Sequence, residues 1–442
     1  MSCGYTIGPA RLRHPRKPQA ANPDTFHRMR LTLITFGTQG DCRPIVALGA
    51  GLRAAGHDVL MLGERSAGAL AAGHDLAFEA LAGDIQATLA PGGALHKLMT
   101  EGGNVSEATR AFARIAEDNT AQWMAQLATA MRERDAIVFS GLAAYVGMAV
   151  GDALGKPAIA AAMFPLSPTR DFPSAFLPPW RLPGWVNRAT HQLINHVLWR
   201  MFRPAINAGR QAQFGLAPRK AMWQDFPSLY GISPHLVPRP RDWHADWLVC
   251  GAWTLPAQDG WQAPAALQDF LAAGEPPVYV GFGSMAGFDR DKVVRALVQT
   301  LDGRRTLFYP GWSGIDVAAL PPNFHVIGAT PHDWLLPRVS AAIHHGGAGT
   351  THAVAAAGVP SIVLPFAGDQ FFWAGRLAAL GVAPRHVAGH DIDAGKLAAM
   401  LAFTQRPDVR EKAAALGAAI RAERGVDHAV AAIETFCQRG RG

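Results

Sequence analysis

Short apolar runs alternate with longer Ala/Leu-rich segments along almost the whole chain, and they do so in two series. Candidate strands fall at 30–36, 58–62, 136–140 and 158–164, and then again at 278–282, 306–309, 325–327, 341–344 and 361–364. The runs are continuous rather than alternating in polarity, as strands buried on both faces of a parallel sheet must be. Strands in regular alternation with helical segments specify doubly wound α/β units. With 442 residues the chain outgrows a single core, so two domains are expected.

The two series are separated by a stretch rich in Pro, Trp and charge from 233 to 277, which includes Pro234, Pro238, Pro240, Pro264, Pro276 and Pro277. The expected organisation is an aperiodic, disordered tail at 1–28, with Met29 as a candidate translation start, then a first Rossmann-like domain at 29–254 and a linker at 255–276. A second Rossmann-like domain follows at 277–442, its last helix able to pack back on the first. Facing sheets of this kind leave a cleft between their strand carboxyl ends, where their ligands bind. Segment 172–210 breaks the rhythm with Trp180, Trp185 and several arginines. It reads either as an insertion packed on the domain or as an aromatic acceptor mouth and membrane contact.

Composition narrows the function classes. Apolar residues make up 49% and charged residues 17%, which is globular rather than disordered. The net charge of +7 comes with no basic helix or RNA-binding aromatic signature, so nucleic acid is not an expected partner. Cys3, Cys42, Cys250 and Cys437 show neither metal-ligand spacing nor a disulfide framework, which suits a reducing cytoplasm. The longest apolar stretch, 143–166, is interrupted by Asp152, Lys156 and Pro157, and the N-terminus lacks a signal-peptide core.

The densest motif runs from 331 to 370. A strand leads into His344-His345-Gly346-Gly347-Ala348-Gly349-Thr350-Thr351 and a helix, and the next strand ends in Pro365-Phe366-Ala367-Gly368-Asp369-Gln370. Glycines let the backbone approach a ligand, and the free N–H groups of a helix N-terminus favour a diphosphate. Thr350 and Thr351 could cap the helix or bond a phosphate oxygen. Asp369 beside Gln370 suits several sugar hydroxyls, although Asp369 also reads as a helix N-cap. The Gly-rich turn taken alone could be mere packing.

Together, Pro331-His332-Asp333-Trp334-Leu335, the His344–Thr351 run and Pro365–Gln370 resemble the donor signature of family 1 glycosyltransferases. Within that family the likeness is to sterol 3-beta-glucosyltransferases and bacterial antibiotic-aglycone glycosyltransferases. Phe36-Gly37-Thr38-Gln39-Gly40-Asp41, with Pro44, and Val280-Gly281-Phe282-Gly283-Ser284-Met285 resemble the openings of the same enzymes' two domains. The resemblance implies a GT-B fold, with the acceptor on the first domain and the nucleotide sugar on the second. It implies Trp334 near the nucleobase, Ser284, His345, Gly346, Gly347, Ala348, Gly349 and Thr350 around the diphosphate, and Asp369 and Gln370 on the sugar. It also implies inversion without a metal or other cofactor.

Where plant members carry a histidine base after the first strand, this chain has none, and Asp41 stands at the matching position of the sterol and antibiotic branch. Its alternative reading is an N-cap for a helix starting near Pro44. The expectation is a hexosyltransferase using UDP-glucose on a hydrophobic alcohol such as a sterol, lipid or polyketide. Trp180 and Trp185 are candidates for the acceptor, and the enzyme is cytoplasmic or peripheral at the inner membrane face. The alternatives are a sugar-nucleotide 2-epimerase of the same architecture and a silent lipid-binding relative.

Overall fold

The structure, a computed structural model, describes residues 28–83, 105–224, 226–255, 261–283, 289–311 and 313–439. The first sheet comprises β1 (Arg30–Phe36), β2 (Asp58–Gly63), β3 (Ala77–Ala80), β4 (Ala136–Gly141), β5 (Ala158–Ala162), β6 (Ser228–Tyr230) and β7 (Trp247–Val249). They lie in the order β3-β2-β1-β4-β5-β6-β7, every pair parallel, with Leu31 opposite Val59 on one side and Ala136 on the other. The second sheet comprises β8 (Val278–Gly281), β9 (Thr306–Tyr309), β10 (Phe324–Val326), β11 (Ala341–His344) and β12 (Ser361–Val363), also all parallel, in the order β10-β9-β8-β11-β12. In both sheets the strand order reverses beside the first strand, which opens a crevice at the carboxyl ends of β1 and β8.

The expected two-sheet α/β architecture is therefore present. β3, β6 and β7 escaped the sequence reading: β3 is largely exposed at the sheet edge, and β6 and β7 follow one another with no helix between them to keep the alternation. Segment 172–210 holds most of a long helix, Gly184–Phe214, whose inward side sets Trp199, Phe202 and Ile206 in the Ile34 and Phe36 cluster, Trp199 and Phe202 against Tyr145 of helix Ala144–Leu154. The stretch read as a linker holds a helix, Ala265–Ala272, whose Leu267 sits in the second domain's core.

Side-chain alternation on β1 divides the first core in two. Leu31 and Leu33 face one cluster with Ile45 and Leu48 of helix Gln39–Ala54, and Ile34 and Phe36 face the other with Trp123 and Phe139. The last helix, Gly425–Arg439, returns to the first domain and inserts Ala429, Val430, Ile433 and Phe436 into the Leu31 cluster. Ile433 is fully buried there, worth roughly 1.5–3 kcal/mol. Close approach is possible because residue 51 is glycine: a Cβ there would lie 2.2 Å from Val426 Cγ1. His57 Nε2 meets Glu434 Oε1 at 3.0 Å beside the same contact.

A further cluster joins the domains through Tyr230, Leu236 and Trp243 on one side and Phe372, Trp373 and Leu377 on the other. Arg376 Nε donates to the Leu236 carbonyl at 2.8 Å, and the Ser233 N–H donates to His352 Nε2 at 3.1 Å. These contacts hold the carboxyl end of β1 opposite those of β11 and β12.

Candidate active site

β11 delivers its last residue, His344, into the Gly-rich loop, and helix Ala348–Ala357 begins immediately after it. Gly346 has φ +89°, and a Cβ on it would lie 2.6 Å from Val363 Cγ1 on β12, so this position admits only glycine without movement. Gly347 is the N-cap residue and offers no side-chain cap, while a Cβ there would meet the His345 ring at 2.4 Å. Gly349 has nothing within 4 Å, so its lack of a side chain leaves open space instead of relieving a clash. The first turn of the helix, with Ala348, Gly349 and Thr350, thus presents unsatisfied N–H groups.

Three polar atoms packed around this loop have no partner among the described residues: His344 Nε2, His345 Nδ1 and Thr351 Oγ1. Burial lowers the His344 pKa to about 3 and the His345 pKa to about 4, with neighbouring histidine charge acting in the same direction. Both rings are accordingly neutral near pH 7 and can act as N–H donors without carrying charge. Thr350 and Thr351 do not cap the helix, since no side chain bonds its N-terminus.

After β12, Gln370 Oε1 accepts the backbone N–H groups of Phe366 at 2.8 Å and Ala367 at 3.2 Å, which fixes the turn that carries Asp369. Asp369 holds the N-cap position of helix Gln370–Ala379 without capping it; its Oδ2 accepts instead from Trp373 Nε1 at 2.8 Å. Burial lifts its pKa to about 6 against that hydrogen bond, and the charge of Asp41 lifts it further. Trp373 packs edge-on against His352, ring centroids 4.9 Å apart, and His352 Nδ1 bonds the Ala348 carbonyl at 2.7 Å. The Gly-rich loop, Asp369 and the domain interface therefore share one packed unit.

Asp41 lies on the facing edge. Helix Gln39–Ala54 starts five residues before Pro44, and Thr38 is its N-cap. Asp41 completes a capping box: its Oδ2 accepts from the Thr38 N–H at 2.8 Å and from Thr38 Oγ1 at 3.0 Å. No described hydrogen bond reaches Oδ1. The side chain keeps some accessible surface, yet the surrounding protein desolvates it enough to raise its pKa, with the Thr38 bonds opposing. The N-cap reading was thus near the truth in kind but misplaced the helix start, because Pro44 suggested a first turn that begins later than the observed one.

Two further groups join, one of them, Arg43, from a place the sequence did not flag. Arg43, one residue beyond Cys42, carries its charge across to Asp333 and Tyr309 of the second domain. His332 lies near enough to that guanidinium for its charge to help burial hold the imidazole pKa at about 4. No local pattern marks Arg43, and the Pro331–Leu335 motif assigned His332 no role of its own, since each gains its neighbour only through domain packing. Trp373 could have been found from its spacing, four residues after Asp369 on a helix.

Not every expected site residue comes to this place. Ser284 lies outside the described residues. Trp334 packs edge-on against Trp261 at 5.2 Å and under the Arg338 guanidinium at 4.2 Å. These residues line an open groove of about 740 Å³ together with Gly274 and Pro276, at the amino end of β8, opposite the Gly-rich loop. Trp180 and Trp185 are 53% and 72% exposed on the outer surface.

The glycosyltransferase family 28 N-terminal domain matches residues 31–173, and the erythromycin biosynthesis protein CIII-like C-terminal domain matches residues 292–433. A sterol 3-beta-glucosyltransferase of Neurospora crassa is 33% identical over 97% of this chain and 29% of its own length. One from Cryptococcus neoformans is 32% identical over 92% of the chain and 27% of its own length. The chain thus spans less than a third of these relatives. The kitacinnamycin glycotransferase superposes with a TM-score of 0.68 at 18% identity, covering 93% of this chain and all of the other. The glycosyltransferase VinC, solved with dTDP, does so with a TM-score of 0.65 at 18% identity, over 93% of this chain and all of the other.

Paired parallel sheets with a Gly-rich helix N-terminus at their junction define the GT-B glycosyltransferase class. Within that class the chain carries the family 28 N-terminal domain and the erythromycin CIII-like C-terminal domain, is a relative of the sterol 3-beta-glucosyltransferases, and shares its fold with antibiotic glycosyltransferases.

Proposed function

We propose that the protein transfers glucose from UDP-glucose to a hydroxyl of a hydrophobic acceptor, with inversion at the anomeric carbon and without a metal ion. The observation that carries this reading is the set of buried polar atoms around the Gly-rich loop that have no partner among the described residues, His344 Nε2, His345 Nδ1 and Thr351 Oγ1. Leaving such groups unmade costs about 1–3 kcal/mol each, so their retention points to an external partner rich in hydrogen-bond acceptors. A diphosphate at the N-terminus of helix Ala348–Ala357 supplies those acceptors, and the helix dipole favours its charge.

Asp41 then acts as general base. Its free Oδ1 takes the acceptor proton as the acceptor oxygen attacks the anomeric carbon, and the bond from that carbon to the diphosphate breaks on the opposite face. The electron pair leaves on UDP, whose charge the loop N–H groups and the neutral histidines absorb. Asp369 holds sugar hydroxyls. Among the described residues no three His, Cys, Asp or Glu side chains gather as a metal-ligand set. Acceptors of this class reside in membranes, so the reading includes a peripheral contact at the inner membrane face; no described helix is long and apolar enough to cross a bilayer.

The test is a UDP-release screen across sterols, long-chain alcohols and polyketides, beside thermal melts with UDP and dTDP. Saturation at about a hundred times Kd should stabilise the protein by ~2.7 kcal/mol. A shift with dTDP and none with UDP overturns the uridine assignment; no release with any acceptor class overturns the transfer reaction.

A further inference from the structure

We propose that the outer face of helix Gly184–Phe214 is a docking surface for an anionic lipid bilayer. The helix buries one side on helices Val105–Ala130 and Ala144–Leu154 of the first domain and leaves the other without a partner among the described residues. Trp185, Ala189, Leu193 and Val197 recur every four residues on that outer side, with Trp185 72%, Leu193 60% and Val197 43% exposed. Trp180, 53% exposed, precedes the same stripe. Large apolar side chains at helical spacing in water are an interaction surface, not scattered exposure.

Charge selects the occupant. From 172 to 224 the sequence holds seven Arg and Lys and no Asp or Glu, as much positive charge as the net +7 of the entire chain. Arg210 and Arg219 are engaged with Asp152, and Arg188 with Asp242. Arg181, Arg200 and Arg203 form no ion pair among the described residues and flank the apolar stripe. An apolar stripe bordered by arginines and anchored by tryptophan matches the interface of an anionic bilayer, where apolar groups enter the acyl boundary and cations meet the headgroups. A second copy of the chain would bring the same arginines face to face.

The position also suits lipid delivery. The loop before the helix reaches the second domain: Pro179 lies so close to Gly375 that a Cβ there would be 2.9 Å away, and the Phe172 and Phe372 rings are 5.4 Å apart. Gly375 and Phe372 belong to helix Gln370–Ala379, which begins directly after Asp369. The exposed stripe thus continues to the site through an aromatic path. This delivery role rests on the lipid-acceptor reading above; the docking surface does not.

The test is co-sedimentation of the full chain with vesicles of phosphatidylcholine alone and with added phosphatidylglycerol, at low and high salt. Binding to the anionic vesicles should exceed binding to the neutral ones by about tenfold or more and weaken as salt screens the arginines. Leu193→Ser with Val197→Ser should abolish binding, and Arg181→Glu with Arg200→Glu should abolish the preference for anionic lipid. Each pair is checked for a wild-type melting temperature; if the serine pair does not fold, the charge pair alone decides. UDP release with a water-soluble alcohol reads transfer separately and should be unchanged in both pairs. Equal binding to both vesicles, no binding to either, or a concentration-dependent dimer that the serine pair disperses without vesicle binding overturns the proposal.

Discussion

Replacing Asp41 by Asn separates its chemistry from its structural duty. The carboxylate accepts both Thr38 hydrogen bonds on one oxygen, Oδ2, at 2.8 and 3.0 Å. An Asn side chain keeps a carbonyl oxygen there and can retain both. What disappears is the charge. Its attraction to the helix N-terminus is worth about 0.3–1 kcal/mol, which the variant loses. Against that, the variant escapes the desolvation that raises the Asp41 pKa and removes the charge that lifts Asp369. The two effects oppose each other, so the melting temperature should stay within a few degrees of wild type. Catalysis has no such offset. A positioned base contributes roughly a hundredfold to ten-thousandfold, which is about 2.7–5.4 kcal/mol of barrier at ~1.36 kcal/mol per tenfold. Wild-type turnover should also fall as pH drops through the raised Asp41 pKa, because only the deprotonated form accepts a proton. The assay is UDP release at saturating UDP-glucose and acceptor, with UDP affinity by calorimetry as control. Turnover of Asp41→Asn within about threefold of wild type, far less than a base should supply, would refute the reasoning and leave the Thr38 capping box as its whole purpose.

Three other outcomes can be checked. Asp369 has a folded pKa of about 6 against 3.8 for a free carboxylate, so its contribution to stability is full below 3.8 and is lost as pH rises through 6. The loss is ~3 kcal/mol at most and smaller for the part of the group that water reaches; melts between pH 4 and pH 7.5 should be flatter in Asp369→Asn, and parallel curves contradict the assignment. Turnover should persist in EDTA, and a loss restored by magnesium or manganese would show that the helix N-terminus does not suffice for the diphosphate. Gly311 has φ +52°, and a Cβ on it would lie 2.0 Å from the Gly283 carbonyl oxygen, whereas Gly303, at φ +66°, has open space. Denaturant unfolding should show Gly303→Ala costing about 1–2 kcal/mol from backbone strain alone and Gly311→Ala clearly more; equal costs would contradict the close approach of the two turns.

Legibility in the sequence followed element length and locality. Strands such as Arg30–Phe36 and Ala341–His344 were readable because continuous apolar runs are what a doubly covered parallel strand requires. Ser228–Tyr230 and Trp247–Val249 were not, since no helix separates them to keep the alternation and their pairing depends on β5 being in place. In the site, Asp41, His345, Gly346 and Asp369 announce themselves through neighbours in the chain. Arg43 and His352 do not, and His332 drew no role from its motif: their partners, Tyr309, the Ser233 N–H and the Arg43 guanidinium, each come from the opposite domain. Trp334 shows the converse, a residue inside a recognisable motif whose ring turns toward Trp261 and the far end of the sheet.

The return of helix Gly425–Arg439 onto the first domain fixes an order on biosynthesis. The β1 core includes Val430, Ile433 and Phe436, so it cannot close when its own strands have emerged. About 190 residues separate the end of β7 from the end of that helix, and at ~5–20 residues per second the nascent first domain waits on the order of 10–40 s with an apolar trough along helix Gln39–Ala54. That trough is a surface for chaperones while the chain is being made. In a chain shortened by its last fifteen or so residues the trough never closes. Such a truncation should therefore precipitate through its N-terminal half, although every residue deleted lies at the other end of the sequence.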